Sequence, residues 1–199
     1  MQLAVPAGQG AMAAVLSLDA AQVAKACAEA AKETGQPVAA ANLNSPGQTV
    51  ISGAAGAVER AVELCKQAGV KRAVMLPVSA PFHCALMQPA QDRLASDLEK
   101  LEFRDPKYPI AANVSAALVA SGDAARRALI AQVTGAVRWV ECIELLVREG
   151  ATQFVEVGPG RVLSGLMKQI LGKDSTLPVM NVEDAASLEK TLAGLSAAG

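Results

Sequence analysis

Pro77-Val-Ser-Ala-Pro-Phe-His83-Cys-Ala-Leu86 is where the chain changes pattern, and it carries the only histidine in 199 residues. The apolar run Ala73-Val-Met-Leu76 leads into it. Pro81 disfavours helix at Ala80, and an amphipathic run from Leu86 to Leu101 leads out. His83 therefore stands at a strand-to-helix corner. Corners at the carboxyl ends of strands in open α/β sheets are where binding sites usually form. A lone histidine builds no metal site and is more often structural than catalytic, so any chemistry depends on what surrounds it.

Upstream of the corner the elements are short and well punctuated. Ala11–Leu18 reads as a strand, and Asp19 caps a helix over Ala20–Lys32 in which Val23, Ala26, Cys27 and Ala30 recur at helical spacing. Gly35-Gln-Pro37 ends that helix, and Val38–Leu43 reads as the next strand. Asn44-Ser-Pro-Gly47 is a turn by its chemistry and joins Thr49–Ser52 to make a hairpin. A helix over Ala55–Ala68 (Val58, Ala61, Val62, Cys65) and a strand over Arg72–Val78 complete the order βαββαβ. This is the ferredoxin-like pattern, and it fills residues 6–79 as a small subdomain.

Downstream, residues 80–199 read as helix Leu86–Leu101, strand Ile110–Val114, helices Ala124–Val133 and Val137–Arg148, and strand Thr152–Val157. The turn Gly158-Pro-Gly160, helix Val162–Leu171, strand Pro178–Val182 and helix Ala185–Leu195 follow. Alternation of this kind predicts an α/β unit with a mostly parallel sheet. So few strands cannot cover the apolar faces of so many helices, so this second subdomain is expected to be incomplete.

A formal charge of -1 leaves no electrostatic footprint for nucleic acid or a membrane surface. Cys27, Cys65, Cys84 and Cys142 are widely spaced, with no CxxC pair and one histidine beside them, which supports neither a metal site nor a disulfide framework. Reduced thiols, a start without a basic region and no long apolar run together predict a cytoplasmic protein.

Several groups are candidate partners for His83. Glu156 at a strand end, or an amide such as Gln132, could orient an imidazole through a hydrogen bond. Asn44 adjoins the turn, where capping is its ordinary role. Ser79 and Cys84 lie close in sequence, yet nothing marks either as activated, and no G-x-S-x-G nucleophile elbow exists in the chain. Gly158-Pro-Gly160 precedes a helix and could present N–H groups to an anion. Pro159 has no N–H, so a tight turn is the simpler reading.

Four blocks together carry a family resemblance: Ala41-Asn-Leu-Asn-Ser-Pro-Gly-Gln-Thr-Val-Ile-Ser-Gly53, Leu76-Pro-Val-Ser-Ala-Pro-Phe-His-Cys-Ala-Leu-Met87, Val137-Arg-Trp139 and Phe154-Val-Glu-Val-Gly-Pro-Gly160. In this order they resemble the malonyl-CoA:acyl carrier protein transacylases of fatty acid synthesis, over essentially the whole chain. The resemblance implies a ferredoxin-like subdomain inserted in an α/β-hydrolase-like large subdomain, of which 80–199 would be the C-terminal part. It implies ping-pong chemistry in which a serine takes malonyl from coenzyme A and passes it to the phosphopantetheine thiol of acyl carrier protein. The coenzyme A thioester is then a substrate, with no bound cofactor. His83 matches the family's general base, Gln132 the residue that holds it, Asn44 a polar residue of the cleft, and Phe82 a residue shaping the acyl pocket.

The family's GQG oxyanion loop, its GHSLG serine and the arginine that pairs with the malonyl carboxylate have no counterpart here; Gly8-Gln-Gly10 falls in a different place. Met1 is therefore expected to be an internal methionine of a longer protein, and a missing N-terminal segment becomes a candidate partner. The chain alone is expected not to transfer malonyl groups. Two other readings are an inactive fragment or decoy that binds acyl carrier protein, and a hydrolase or transferase that has recruited Cys84 or Ser79.

Overall fold

Asp19 and Gly35 bracket the first helix as their chemistry predicts. The Asp19 carboxylate accepts from the Ala21 N–H at 2.8 Å, and Gly35 ends the helix with φ 65°. In the computed structural model, which describes residues 4–78 and 80–196, the chain forms two compact units that divide between Cys142 and Ile143.

The first unit opens with β1 (Gly10–Leu16), α1 (Ala20–Thr34), β2 (Val38–Ser45), β3 (Gln48–Ala54), α2 (Ala55–Gln67) and β4 (Arg72–Met75). The strands lie in the order β2-β3-β1-β4, every neighbouring pair antiparallel. Side chains alternate across a strand, so Ala13 and Val15 of β1 meet one layer and Met12 the other. Ala13, Val15 and Ile51 pack with Val23, Cys27, Val58 and Cys65 of the two helices to form the main core. Each fully buried valine or isoleucine there is worth roughly 1.5–3 kcal/mol over an exposed one. Met12, Ala41 and Val50 form a separate cluster, against which Leu76 and Phe82 pack. The residues leading to His83 thus cover the sheet beside a core of their own.

Strand β4 ends three residues before the expected Val78. The Leu76 N–H still donates to the Met12 carbonyl at 2.9 Å, but Pro77 has no N–H to continue the ladder. The helix expected from Leu86 begins as a 3-10 turn over Ala85–Met87 and becomes α3 at Gln88–Leu98. Pro89 sets this boundary, since proline is tolerated only in a helix's first turn. Beyond it, β5 (Ile110–Ala112) pairs antiparallel with β6 (Ala117–Val119), a strand with no sequence signal strong enough to read.

Helix α4 (Gly122–Gln132) is capped by Ser121, whose hydroxyl accepts from the Ala124 N–H at 3.2 Å. The chain then returns along the outer edge of β2. The Val137 N–H donates to the Ala41 carbonyl and the Leu43 N–H to the Val137 carbonyl, each at 2.8 Å. An otherwise open sheet edge is thereby covered. Helix α5 (Trp139–Arg148) runs across the division between the units.

The second unit holds a parallel pair, β7 (Phe154–Val157) and β8 (Val179–Val182), with α6 (Val162–Leu171) and α7 (Ala185–Ser196). Among the described residues, parallel ladder pairing between strands is confined to these two; the expected wider parallel sheet is not formed, because β5 pairs with β6 instead. Val157 is 78% and Val162 71% exposed. A parallel pair is normally covered on both faces, so these valines are an apolar surface without cover in this unit. No helix of the described residues is long and apolar enough to cross a membrane.

Candidate active site

His83 adopts φ 58°, the left-handed region that histidine enters more readily than most side chains. The corner around it is closed locally. The Pro81 ring is fully buried, the Pro81 carbonyl accepts from the Cys84 thiol at 3.1 Å, and the Phe82 N–H donates to the Ala80 carbonyl at 3.1 Å. His83 lies inside the loop closed by the Cys84 thiol.

The half-buried imidazole meets the end of α4. Its Nδ1 lies 3.0 Å from the main-chain carbonyl oxygen of Gln132. A carbonyl can only accept, so this bond puts the proton on Nδ1 and leaves the Nε2 lone pair available as a base. The carbonyl belongs to the helix's last turn, where main-chain oxygens lack helical partners. Gln132 was expected to hold the histidine through an amide; it does so with its backbone. Its side-chain amide instead donates to the carbonyls of Gly135 at 2.8 Å and Ala136 at 3.2 Å, bracing the turn that follows.

Packing fixes both ends of the bond. Val5, Ala80, Met87 and Val133 form one buried cluster, with Phe82, Leu86 and Leu94 against it. Ala80 precedes the corner and Val133 follows Gln132, so one apolar cluster clamps donor and acceptor segments together. Thr134 adds a polar tie, its hydroxyl donating to the Gln91 side chain at 2.6 Å. Phe82 is half-buried and bridges this cluster and the Met12 cluster. Asn44 is half-buried on β2, where the pairing skips from Leu43 to Ser45 and leaves it in a bulge, a device that re-aims side chains beside sites. No hydrogen bond joins Asn44 to His83 among the described residues.

With that geometry in place, the acyl transferase domain family matches residues 1–194. The chain belongs to this acyl transferase family. Among its relatives, the malonyl CoA-acyl carrier protein transacylase of Escherichia coli (strain K12) is 52% identical over 171 residues, which are 86% of this chain and 55% of the relative. The crystal structure of an acyl carrier protein S-malonyltransferase from Vibrio cholerae is similar with a TM-score of 0.91 and 49% identity, covering 96% of this chain and 61% of that one. A malonyl-transacylase in complex with its type II PKS acyl-carrier protein is similar with a TM-score of 0.91 and 48% identity, covering 97% and 61%. The chain spans little more than half the length of the E. coli relative and about three fifths of the two solved structures.

Other candidate groups in this acyl transferase domain are engaged elsewhere. The Glu156 carboxylate accepts from the Leu163 N–H at 3.0 Å, the Ser164 N–H at 2.7 Å and the Ser164 hydroxyl at 2.6 Å, capping α6. Partial desolvation pushes the carboxyl up, but the bonds from Ser164 and Leu163 together outweigh it and hold it below the usual range. In the Gly158-Pro-Gly160 turn, the Gly160 N–H donates to the Glu183 carboxylate at 3.0 Å, so a side chain of the same unit occupies the donor an anion would need.

The thiols of the acyl transferase domain are buried. Cys84 is only 3% exposed, with its hydrogen committed to Pro81, and burial, aided by Cys65, pushes Cys27 up to about 12. Ser79 lies outside the described residues. Sequence reasoning missed Thr134 and Gly135, whose only signal was a glycine just past a helix. A side chain on Gly135 would come within 2.5 Å of Val114.

Proposed function

We propose that this chain supplies the general base for malonyl transfer from malonyl-CoA to the phosphopantetheine thiol of acyl carrier protein, in fatty acid biosynthesis. The observation that carries the reading is the His83 Nδ1–H bond to Gln132, which leaves Nε2 as the acceptor. The nucleophilic serine and the arginine for the malonyl carboxylate belong to an N-terminal segment that this sequence does not contain.

The serine gives its proton to His83 Nε2 as its oxygen attacks the thioester carbonyl. The tetrahedral adduct collapses, the C–S bond breaks, and the imidazolium returns the proton to the departing coenzyme A thiolate. In the second half-reaction Nε2 takes the proton of the phosphopantetheine thiol, the thiolate attacks the malonyl ester carbonyl, the adduct collapses with cleavage of the serine C–O bond, and the imidazolium returns the proton to the serine oxygen. Main-chain oxygens at the α4 terminus carry partial negative charge and favour the imidazolium formed midway in each half. Asn44 lines the cleft and Phe82 shapes the acyl pocket. Malonyl-CoA is a substrate, and no cofactor takes part.

Residues 6–79 form a ferredoxin-like small subdomain, supported by the antiparallel order β2-β3-β1-β4. Residues 80–199 form the C-terminal part of an α/β-hydrolase-like large subdomain. The N-terminal segment is the partner that covers Val157 and Val162, a reading supported by their exposure and by the greater length of the relatives. Alone, the chain is inactive.

The test is malonyl transfer to holo-acyl carrier protein by a polypeptide that joins a GHSLG-bearing family segment to this chain. His83→Ala lowers kcat/KM by about 10²–10⁴-fold; equal activity in both would sink the assignment. Carrier-protein binding by the 199-residue chain, with no transfer from the joined polypeptide, would favour the decoy reading.

A further inference from the structure

Gly10 begins β1, and its φ is not in the positive range, so nothing in its own backbone calls for glycine. The space beside it does. A Cβ on Gly10 would lie 2.3 Å from Pro81 Cγ, 2.5 Å from Cδ and 2.9 Å from Cβ, far inside the roughly 3.5–4.0 Å at which carbons attract. The Pro81 ring is rigid and fully buried, so it cannot swing aside as a long side chain would.

Pro81 is held at two points. Its ring sits in the space over Gly10, and its carbonyl accepts from the Cys84 thiol at 3.1 Å. His83 lies between Pro81 and Cys84 with φ 58°, a conformation that persists only where the surroundings impose it. A small displacement of the ring therefore passes directly to the imidazole and to its 3.0 Å bond with Gln132.

We propose that Gly10 is a positioning residue for the His83 base: the room left by its missing side chain seats the Pro81 ring and so aims the imidazole at the Gln132 carbonyl. This rests on the proposed role of His83 and adds a residue 73 positions away that touches no substrate.

The single histidine makes the test direct. In the ¹⁵N-labelled 199-residue chain, two-bond ¹H–¹⁵N correlations report which ring nitrogen is protonated without any need for assignment. The unaltered chain shows the Nδ1–H tautomer. Gly10→Ala loses that preference, its two nitrogen shifts moving towards each other, while the amide pattern of α1 and α2 is kept. The double variant Gly10→Ala/Pro81→Gly, in which all three clashing carbons of position 81 are gone and the methyl enters the space they leave, recovers the fold if the single variant loses it and regains part of the tautomer preference. An imidazole signature unchanged by Gly10→Ala overturns the proposal, as does a double variant no better than the single one. An unaltered chain lacking the Nδ1–H tautomer would count against the proposed function itself.

Discussion

The imidazole of His83 donates through Nδ1 to the main-chain carbonyl of Gln132, 49 residues further along the chain, at 3.0 Å. A backbone oxygen in this place sets the tautomer without adding a charge, and it does not depend on the side chain at position 132. What depends on that side chain is the turn from Val133 to Val137, which the amide braces and which carries the chain onto β2.

Gln132→Ala therefore keeps the acceptor and loses two bonds to the carbonyls of Gly135 and Ala136. At about 1 kcal/mol net for each bond, the variant is expected to lose about 1–2 kcal/mol of stability. Urea denaturation of the two chains checks this. Transfer activity of the joined polypeptide should fall far less than with His83→Ala; an equal fall would mean that the amide, not the carbonyl, holds the ring.

Glu156 links the second unit to pH. Its carboxyl is held below the usual value of 4.5, because the bonds from Ser164 and Leu163 exceed the desolvation that opposes them. A depressed folded-state value stabilises the fold above the unfolded value and loses that stabilisation as pH falls through the folded one. The melting temperature should drop as pH is lowered below about 4.5, and Glu156→Gln should remove this part of the drop. Parallel profiles for the two proteins from pH 7 to pH 3 would contradict the capping role.

Two glycines only three residues apart should respond in opposite directions to alanine. A Cβ on Gly53 would meet the Pro37 carbonyl oxygen at 2.2 Å and Val38 Cα at 2.6 Å, both backbone atoms that cannot turn away. Gly53→Ala is expected to cost about 1–3 kcal/mol through overpacking. Gly56 sits in the first turn of α2 with only the Gln36 side chain at 3.6 Å, so Gly56→Ala should gain about 0.4–1 kcal/mol. Denaturation midpoints decide both, and a destabilised Gly56→Ala would show that the start of α2 is more crowded than the structure has it.

Much of the first half was legible because its signals are local. Asp19, Gly35, the Pro46-Gly47 turn and the 3.6-residue spacing of Val58, Ala61, Val62 and Cys65 each act within a few residues of themselves. What stayed hidden depends on contacts between distant segments. Val137 joining the edge of β2 and the pairing of the three-residue β5 with β6 leave no periodicity to read. In the site, His83 stood out as a lone histidine at a corner, and Gln132 was one of two candidate partners, beside Glu156, until a family resemblance favoured it. That Gln132 acts through its carbonyl was out of reach, since every residue has one and only the fold decides which points at the ring. The bulge at Asn44 is hidden for the same reason, because a skipped partner shows only when the partner strand is in place.

The most direct test of the account is the protonation state of the one imidazole in the unaltered chain, read from two-bond ¹H–¹⁵N correlations at pH 8. A proton fixed on Nδ1 with a bare Nε2 is the predicted result, the state in which His83 can take a proton from a serine or a thiol. A proton on Nε2, or a ring exchanging freely between the two forms, would contradict the hydrogen bond to Gln132 and with it the assignment of His83 as the base.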